Sequence, residues 1–278
     1  MTADTVGITP FFLAGESGPL FCIHVSSSHG PVRGRILYLH PFAEEMHKSR
    51  RMAALQARRL AAVGYAVLQL DLTGCGDSWG DFGAARWGGW IQDAIRALQW
   101  LGEVHRDTPL LLWGLRLGAS LAVDLAAGVP EVDGVILWQP ATHGERLLNQ
   151  FLRIKLASEM LTEGRARTRI QDFRERLRAG ESVEVGGYCL ASELAESIGA
   201  LNLGQRPPPH RAVWIDIVAD ARAPSAPASA HVMRTWLEQG GKLHANRVTG
   251  EPFWITQKIT ECPALLEVTL DGVGWLLQ

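Results

Sequence analysis

Compact apolar runs that alternate with amphipathic stretches constrain this chain more than any other feature. Arg35-Ile36-Leu37-Tyr38-Leu39 is apolar at nearly every position, as a strand covered on both faces must be. From Ser49 to Val63, the residues Met52, Leu55, Leu60 and Val63 recur at helical spacing until Gly64 stops the run. The unit then repeats. Strand Tyr65 to Leu70 leads through the loop Asp71 to Ser78 into a helix from Trp87 to Val104. Strand Leu110 to Trp113 leads into an Ala-rich helix, Ala119 to Ala127, and strand Val135 to Trp138 follows. Such an alternation with short connections predicts a mostly parallel sheet with helices on both faces, joined by right-handed crossovers. Upstream, Phe11 to Leu13 and Leu20 to Val25 flank Gly15-Glu16-Ser17-Gly18-Pro19, whose turn chemistry predicts a hairpin and hence an antiparallel edge.

Beyond Trp138 the pattern changes. From Thr142 to Pro209 the chain is charged and helical, in stretches such as Arg146 to Leu161 and Arg165 to Arg178, without a strong buried strand. We read it as a helical cap insertion closed by Pro207-Pro208-Pro209. Strand character returns at Ala212 to Val218, followed by a helix ending at Gly240-Gly241 and a last strand, Leu243 to Val248. The expected organisation is a core of residues 1–141 and 210–278, with 142–209 inserted.

Composition narrows the function classes. In 278 residues, 27 basic side chains stand against 29 acidic ones, so there is no basic footprint for nucleic acid. Cys22, Cys75, Cys189 and Cys262 are too far apart in sequence for a zinc knuckle or a redox dithiol, which predicts a reducing compartment. Met1-Thr2-Ala3-Asp4 lacks the basic and apolar regions of a signal peptide. The most apolar stretch, Leu110 to Val129, is interrupted by Arg116 and Asp124, so no membrane span is expected. The expected location is the cytoplasm. No cofactor or metal is expected.

The informative motif is Gly114-Leu115-Arg116-Leu117-Gly118, where a strand turns sharply into a helix. Glycines flanking such a turn let the backbone strain and expose the middle residue, as in the nucleophile elbow G-x-S-x-G. His40-Pro41-Phe42 follows the third strand, and Asp71-Leu72-Thr73-Gly74-Cys75-Gly76-Asp77-Ser78 has the form D-x-x-G-x-G-x-S. In their order and spacing these segments resemble the α/β-hydrolase superfamily over nearly the whole chain. The resemblance implies the α/β-hydrolase fold, an oxyanion loop at His40-Pro41-Phe42 with Phe42 and Ala43 as ligand-binding residues, and a pocket at the C-terminal ends of the strands.

The chain departs from that pattern at the decisive residue. Arg116 stands where the superfamily carries its nucleophile, and a guanidinium is neither a nucleophile nor a base at ordinary pH. The superfamily histidine is expected in the loop after the last strand, which here reads Thr249-Gly250-Glu251-Pro252-Phe253-Trp254, with Glu251 near the expected place. Asp220 matches the acid position but has no imidazole to orient. With Pro41 to Arg51, Gly74 to Ser78 and Pro252-Phe253-Trp254, the elbow is also similar to the exosortase A system-associated hydrolase 2 family. That similarity implies a bacterial role beside exosortase and exopolysaccharide genes, with protein partners from that system.

Two accounts of the site follow. In one, the protein is an inactive or unconventional hydrolase in which Arg116 clamps an anionic group, helped by the helix N-terminus from Leu117. The alternative is that Arg116 is held in a buried ion pair with Glu44 or Glu45 and plugs a dead site. In the other, an ester, thioester or other acyl derivative is hydrolysed by water activated by Glu44, Glu45 or Glu251, with backbone donors at Phe42 and Leu117. Cys75 would be an alternative nucleophile if Arg116 lowered its thiol pKa. His47, His143 and His244 read as ordinary core or surface residues, and Lys48, Arg50 and Arg51 as a solvated face. Trp79, Trp87, Trp90 and Trp254 fit packing better than a sugar or lipid wall.

Overall fold

The computed structural model describes residues 6–163, 168–206, 211–220, 222 and 224–278. A hairpin opens the chain, with β1 (Val6–Ala14) paired to β2 (Pro19–Ser27) from Val6 opposite Ser27 to Ala14 opposite Pro19. Alternation then begins with β3 (Gly34–Leu39), α1 (Glu44–Ala62), β4 (Tyr65–Leu70), α2 (Trp87–Val104), β5 (Leu110–Leu115), α3 (Leu117–Gly128) and β6 (Val132–Trp138). Between β6 and β9 (Arg211–Val218) lie α4 (Gly144–Glu163), α5 (Ile170–Arg178), β7 (Val183–Val185), β8 (Tyr188–Leu190) and α6 (Ser192–Gly199). After β9 come α7 (Pro227–Glu238), β10 (Lys242–Thr249) and α8 (Pro263–Leu276).

Among the described residues the main sheet has eight strands in the order β1-β2-β4-β3-β5-β6-β9-β10. From β4 to β10 the neighbours run parallel, and β1 and β2 add the antiparallel edge. This is the α/β-hydrolase fold that the sequence predicts. Strands buried on both faces split their side chains between two cores. Leu37, Leu39, Leu112 and Trp214 face α2, α3 and α7, whereas Ile36, Tyr38, Trp113 and Ile215 face α1 and α8.

Several elements differ from the sequence expectation. Helix α1 starts at Glu44, five residues before the apolar periodicity, because Ala43 takes φ 49° and the acidic Glu44 and Glu45 suit a first turn. The inserted stretch contains a short hairpin, β7 with β8, that its charged composition hides. Val183, Val185 and Leu190 are buried, and both residues of the Gly186-Gly187 turn have positive φ. The apolar-rich α8 lies beyond the last expected element. Pro207-Pro208-Pro209 and the start of the Arg165 to Arg178 stretch lie outside the described residues.

Candidate functional site

The site is built on the turn from β5 to α3. Arg116 adopts φ 57° and ψ −114°, between an extended strand and the first turn of a helix. Both flanking glycines are required by space. A Cβ on Gly114 would lie 2.3 Å from the Gly118 carbonyl oxygen, and one on Gly118 would lie 2.2 Å from that of Leu39. The strained residue is held by its backbone, whose N–H donates to Trp138 O (3.0 Å) and whose carbonyl accepts from Ala119 N (3.2 Å) and Ala141 N (3.1 Å).

The Arg116 side chain meets three other segments. Its Nε donates to both carboxylate oxygens of Glu45 on α1, at 3.3 and 3.4 Å. Nη2 donates to Gln150 Oε1 on α4 at 3.2 Å, and the guanidinium carbon lies 5.5 Å from the ring centroid of Trp254. Both members of the ion pair are largely shielded, with side-chain exposures of 14% for Arg116 and 16% for Glu45. Burial pushes the Glu45 carboxyl above its usual range, against the pull of Arg116 and Lys48.

This cluster forms one part of the lining of a cavity of about 580 Å³. Phe42 from the β3–α1 loop, Leu147, Phe151 and Ile154 from α4, and Trp254 and Ile255 from the loop after β10 form its apolar walls. Glu44 and Lys48 pair with each other at 2.8 Å along its edge. Among the described side chains that line it, none is a serine, cysteine or histidine.

The other sequence candidates fall elsewhere. Ala43 and Leu117 are buried in the core, next to the pocket residues but not on its wall. Asp220 is exposed and paired with Arg222 at 3.1 Å, an interaction that holds its carboxyl below the usual range. Glu251 is also exposed; the aromatic pair after it, Phe253 and Trp254, turns inward, so Trp254 reaches the elbow. The Cys75 thiol is buried, and burial with Asp71 and Asp93 pushes its pKa up, against the pull of Arg50 rather than of Arg116.

Lys48, Arg50 and Arg51 are partly exposed, and each is also paired, with Glu44, Asp71 and Glu261. The Asp71 to Ser78 loop is a structural knot. Asp71 is buried, and its Oδ2 accepts from Arg50 Nη2 at 2.7 Å and from Asp77 N at 3.1 Å. A Cβ on Gly76 would lie 2.0 Å from that oxygen, which accounts for the second glycine of the loop. His40 Nδ1 donates to Pro41 O at 2.8 Å, and its Nε2 accepts from Leu72 N at 3.3 Å, so it ties this loop to the one carrying Phe42. His47 is exposed, His143 bonds to Thr142, and His244 stacks on Trp275. Trp87 and Trp90 donate to Asp124 and to Thr73 O, and Trp79 covers Gly18.

Comparison with known proteins settles the family. Residues 30–184 match the family described as serine aminopeptidase, S33. The chain belongs to this S33 family. It is therefore a hydrolase-fold protein whose elbow departs from the pattern of its own superfamily at Arg116. Among curated proteins, human Protein ABHD12B is 34% identical over 112 residues, covering 39% of this chain and 30% of that one. Lysophosphatidylserine lipase ABHD12 of Xenopus tropicalis is 31% identical over 112 residues, covering 39% and 28%. The matched stretch thus spans less than a third of either relative. Among solved structures, Est1E from Butyrivibrio proteoclasticus with bound ferulic acid superposes with a TM-score of 0.68 at 11% identity, over 96% of this chain and 99% of that one. A highly thermostable carboxyl esterase from Bacillus coagulans in complex with glycerol gives 0.66 at 15% identity, over 99% and 100%. These two share the fold.

One contributor to this S33-family site escaped sequence reasoning: Gln150 sits in a charged helix with no motif around it. Trp254, which the sequence assigns to packing, instead lines the pocket against Arg116, because the loop after β10 turns it inward.

Proposed function

We propose that this S33-family chain is an unconventional or inactive hydrolase whose pocket accepts an anion at Arg116. We further propose that it serves the exosortase and exopolysaccharide system suggested by its motifs, in the cytoplasm and with protein partners from that system. The carrying observation is the guanidinium at the tip of the elbow, in the place of a nucleophile. It supplies positive charge and oriented N–H donors, and it cannot form an acyl-enzyme. Glu45 and Gln150 occupy Nε and Nη2, while Nη1 makes no hydrogen bond among the described residues, which leaves a donor for an incoming anion. We read residues 142–209 as a cap on a core of 1–141 and 210–278, because α4 provides one wall of the pocket.

A fluorophosphonate probe and a panel of p-nitrophenyl esters test the chemistry. Neither labelling nor turnover is expected for the wild type. The same is expected of Arg116→Ser, because no imidazole among the described residues lines the pocket to activate the new hydroxyl. Labelling of any serine in the wild type overturns the proposal. Thermal-shift screening tests the binding: small anions should stabilise the wild type and not Arg116→Ala. A second reading, acyl hydrolysis by carboxylate-activated water, draws on the buried Glu45 carboxyl, which is pushed towards the range of a general base. It requires ester turnover that Glu45→Gln abolishes and Cys75→Ala retains.

A further inference from the structure

The pocket carries more apolar surface than an anion site needs, and the inference here rests on the anion-accepting reading above. Its charged end is Arg116, with Glu45 along Nε and Gln150 on Nη2. The apolar lining is Phe42, Leu147, Phe151 and Trp254, together with Ile154 and Ile255. Those two isoleucines are 41% and 57% exposed. A small hydrophilic anion would fill only part of a space of about 580 Å³ and leave the apolar walls wet. Covering apolar surface is worth about 25 cal/mol per Å², so the walls favour a ligand with a tail. Of the two cations that line the pocket, Lys48 is paired with Glu44, which leaves Arg116 to select one charged head on that tail.

We propose that the pocket binds a single-chain amphiphile with one carboxylate or sulfonate head group. The head takes the open Nη1 and displaces the Glu45 carboxylate from Nε of Arg116, and the chain lies along Phe42 and Phe151 to leave between Ile154 and Ile255. Glu45 then acts as a built-in stand-in for the ligand. It keeps Arg116 paired while the pocket is empty, as a shielded guanidinium requires. The other charged groups around Glu45 are Glu44 and Lys48 on its own helix, with the neutral Gln150 on the α4 side. Removing the charge of Glu45 should strengthen binding, because the ligand no longer competes with an internal carboxylate.

Isothermal titration calorimetry with decanoate, decanesulfonate, decanol and acetate, all below micelle formation, tests this on the folded full chain. Decanoate and decanesulfonate should bind at least about tenfold tighter than decanol or acetate. Arg116→Gln should lose about tenfold for both amphiphiles, and Glu45→Gln should gain about threefold or more. Ile154→Gln, a neutral change at a position 41% exposed, should weaken decanoate without affecting acetate. If acetate binds as tightly as decanoate, the anion pocket stands and the amphiphile is overturned. If decanol matches decanoate and Arg116→Gln changes neither, the anion reading falls as well. Failure of every ligand to bind both the wild type and Glu45→Gln overturns both.

Discussion

Arg116 joins the elbow to α1 through Glu45, to α4 through Gln150 and to the loop after β10 through Trp254. Truncating it leaves a shielded carboxylate without its partner. Fully buried pairs broken in this way cost about 3–5 kcal/mol. The residual exposure of this pair screens part of that cost, so Arg116→Ala should destabilise by about 1–3 kcal/mol. Glu44→Gln, on an exposed i,i+4 pair with Lys48, should stay within about 0.5 kcal/mol. Urea unfolding of the single variants, with a double-mutant cycle on Arg116 and Glu45, measures both. The need for a carboxylate partner is legible in sequence, since a buried unpaired arginine is too costly. Which of two adjacent glutamates supplies it is not. Successive residues on a helix point about 100° apart, and the phase is set by Ala43 and by the way α1 packs on the sheet.

The elbow and α8 show opposite uses of glycine. At Gly118 an added methyl group would meet the Leu39 carbonyl at 2.2 Å, so Gly118→Ala must push α3 off the sheet. A loss of about 3 kcal/mol or more, or failure to fold, is expected from such overpacking against backbone. Gly274 on α8 is exposed, and nothing lies within 4 Å of the added Cβ, so Gly274→Ala should stabilise by up to about 1 kcal/mol. Thermal unfolding of the two variants should move in opposite directions. The buried parallel strands and the helices α2 and α3 are legible in sequence because each carries a sustained local pattern. Helix α8 is less so. Apolar residues surround it, and it carries Gly272, where a Cβ would come within 2.8 Å of Val213. That close approach exists only once the sheet is formed.

Across the molecule, the sheet buries side chains on both faces while its antiparallel edge is pinned by polar contacts. His24 on β2 and His105, just after α2, bring their Nε2 atoms to 2.9 Å, and the His24 ring packs edge-on to Trp100. One ring donates to the other, an arrangement that requires at least one neutral imidazole. Burial and the neighbouring His105 push the His24 pKa down to about 4. The unfolded chain, with its histidine near about 6.5, then binds protons more readily than the folded one. Stability is therefore greatest above that value and falls as the pH drops towards about 4. Chemical denaturation at several pH values should show this loss in the wild type and a smaller one in His24→Gln. An equal acid loss in the two proteins would exclude the pair as its source. The hairpin itself is legible from its turn, but the histidine contact is not, because the two residues are 81 positions apart.

Sequence by itself determined the fold class, since alternating buried strands and amphipathic helices with short links admit few packings. It also determined what the elbow lacks, because an arginine has no nucleophilic chemistry in any fold. Tertiary structure decided what surrounds that arginine: Glu45 rather than Glu44, Trp254 rather than Glu251, Gln150 from a helix without a motif, and Asp220 not among them but paired with Arg222 at the surface. The division has a physical reason. Strand and helix patterns are local and written along a few turns of chain, whereas the direction of a loop side chain is set by packing among segments distant in sequence.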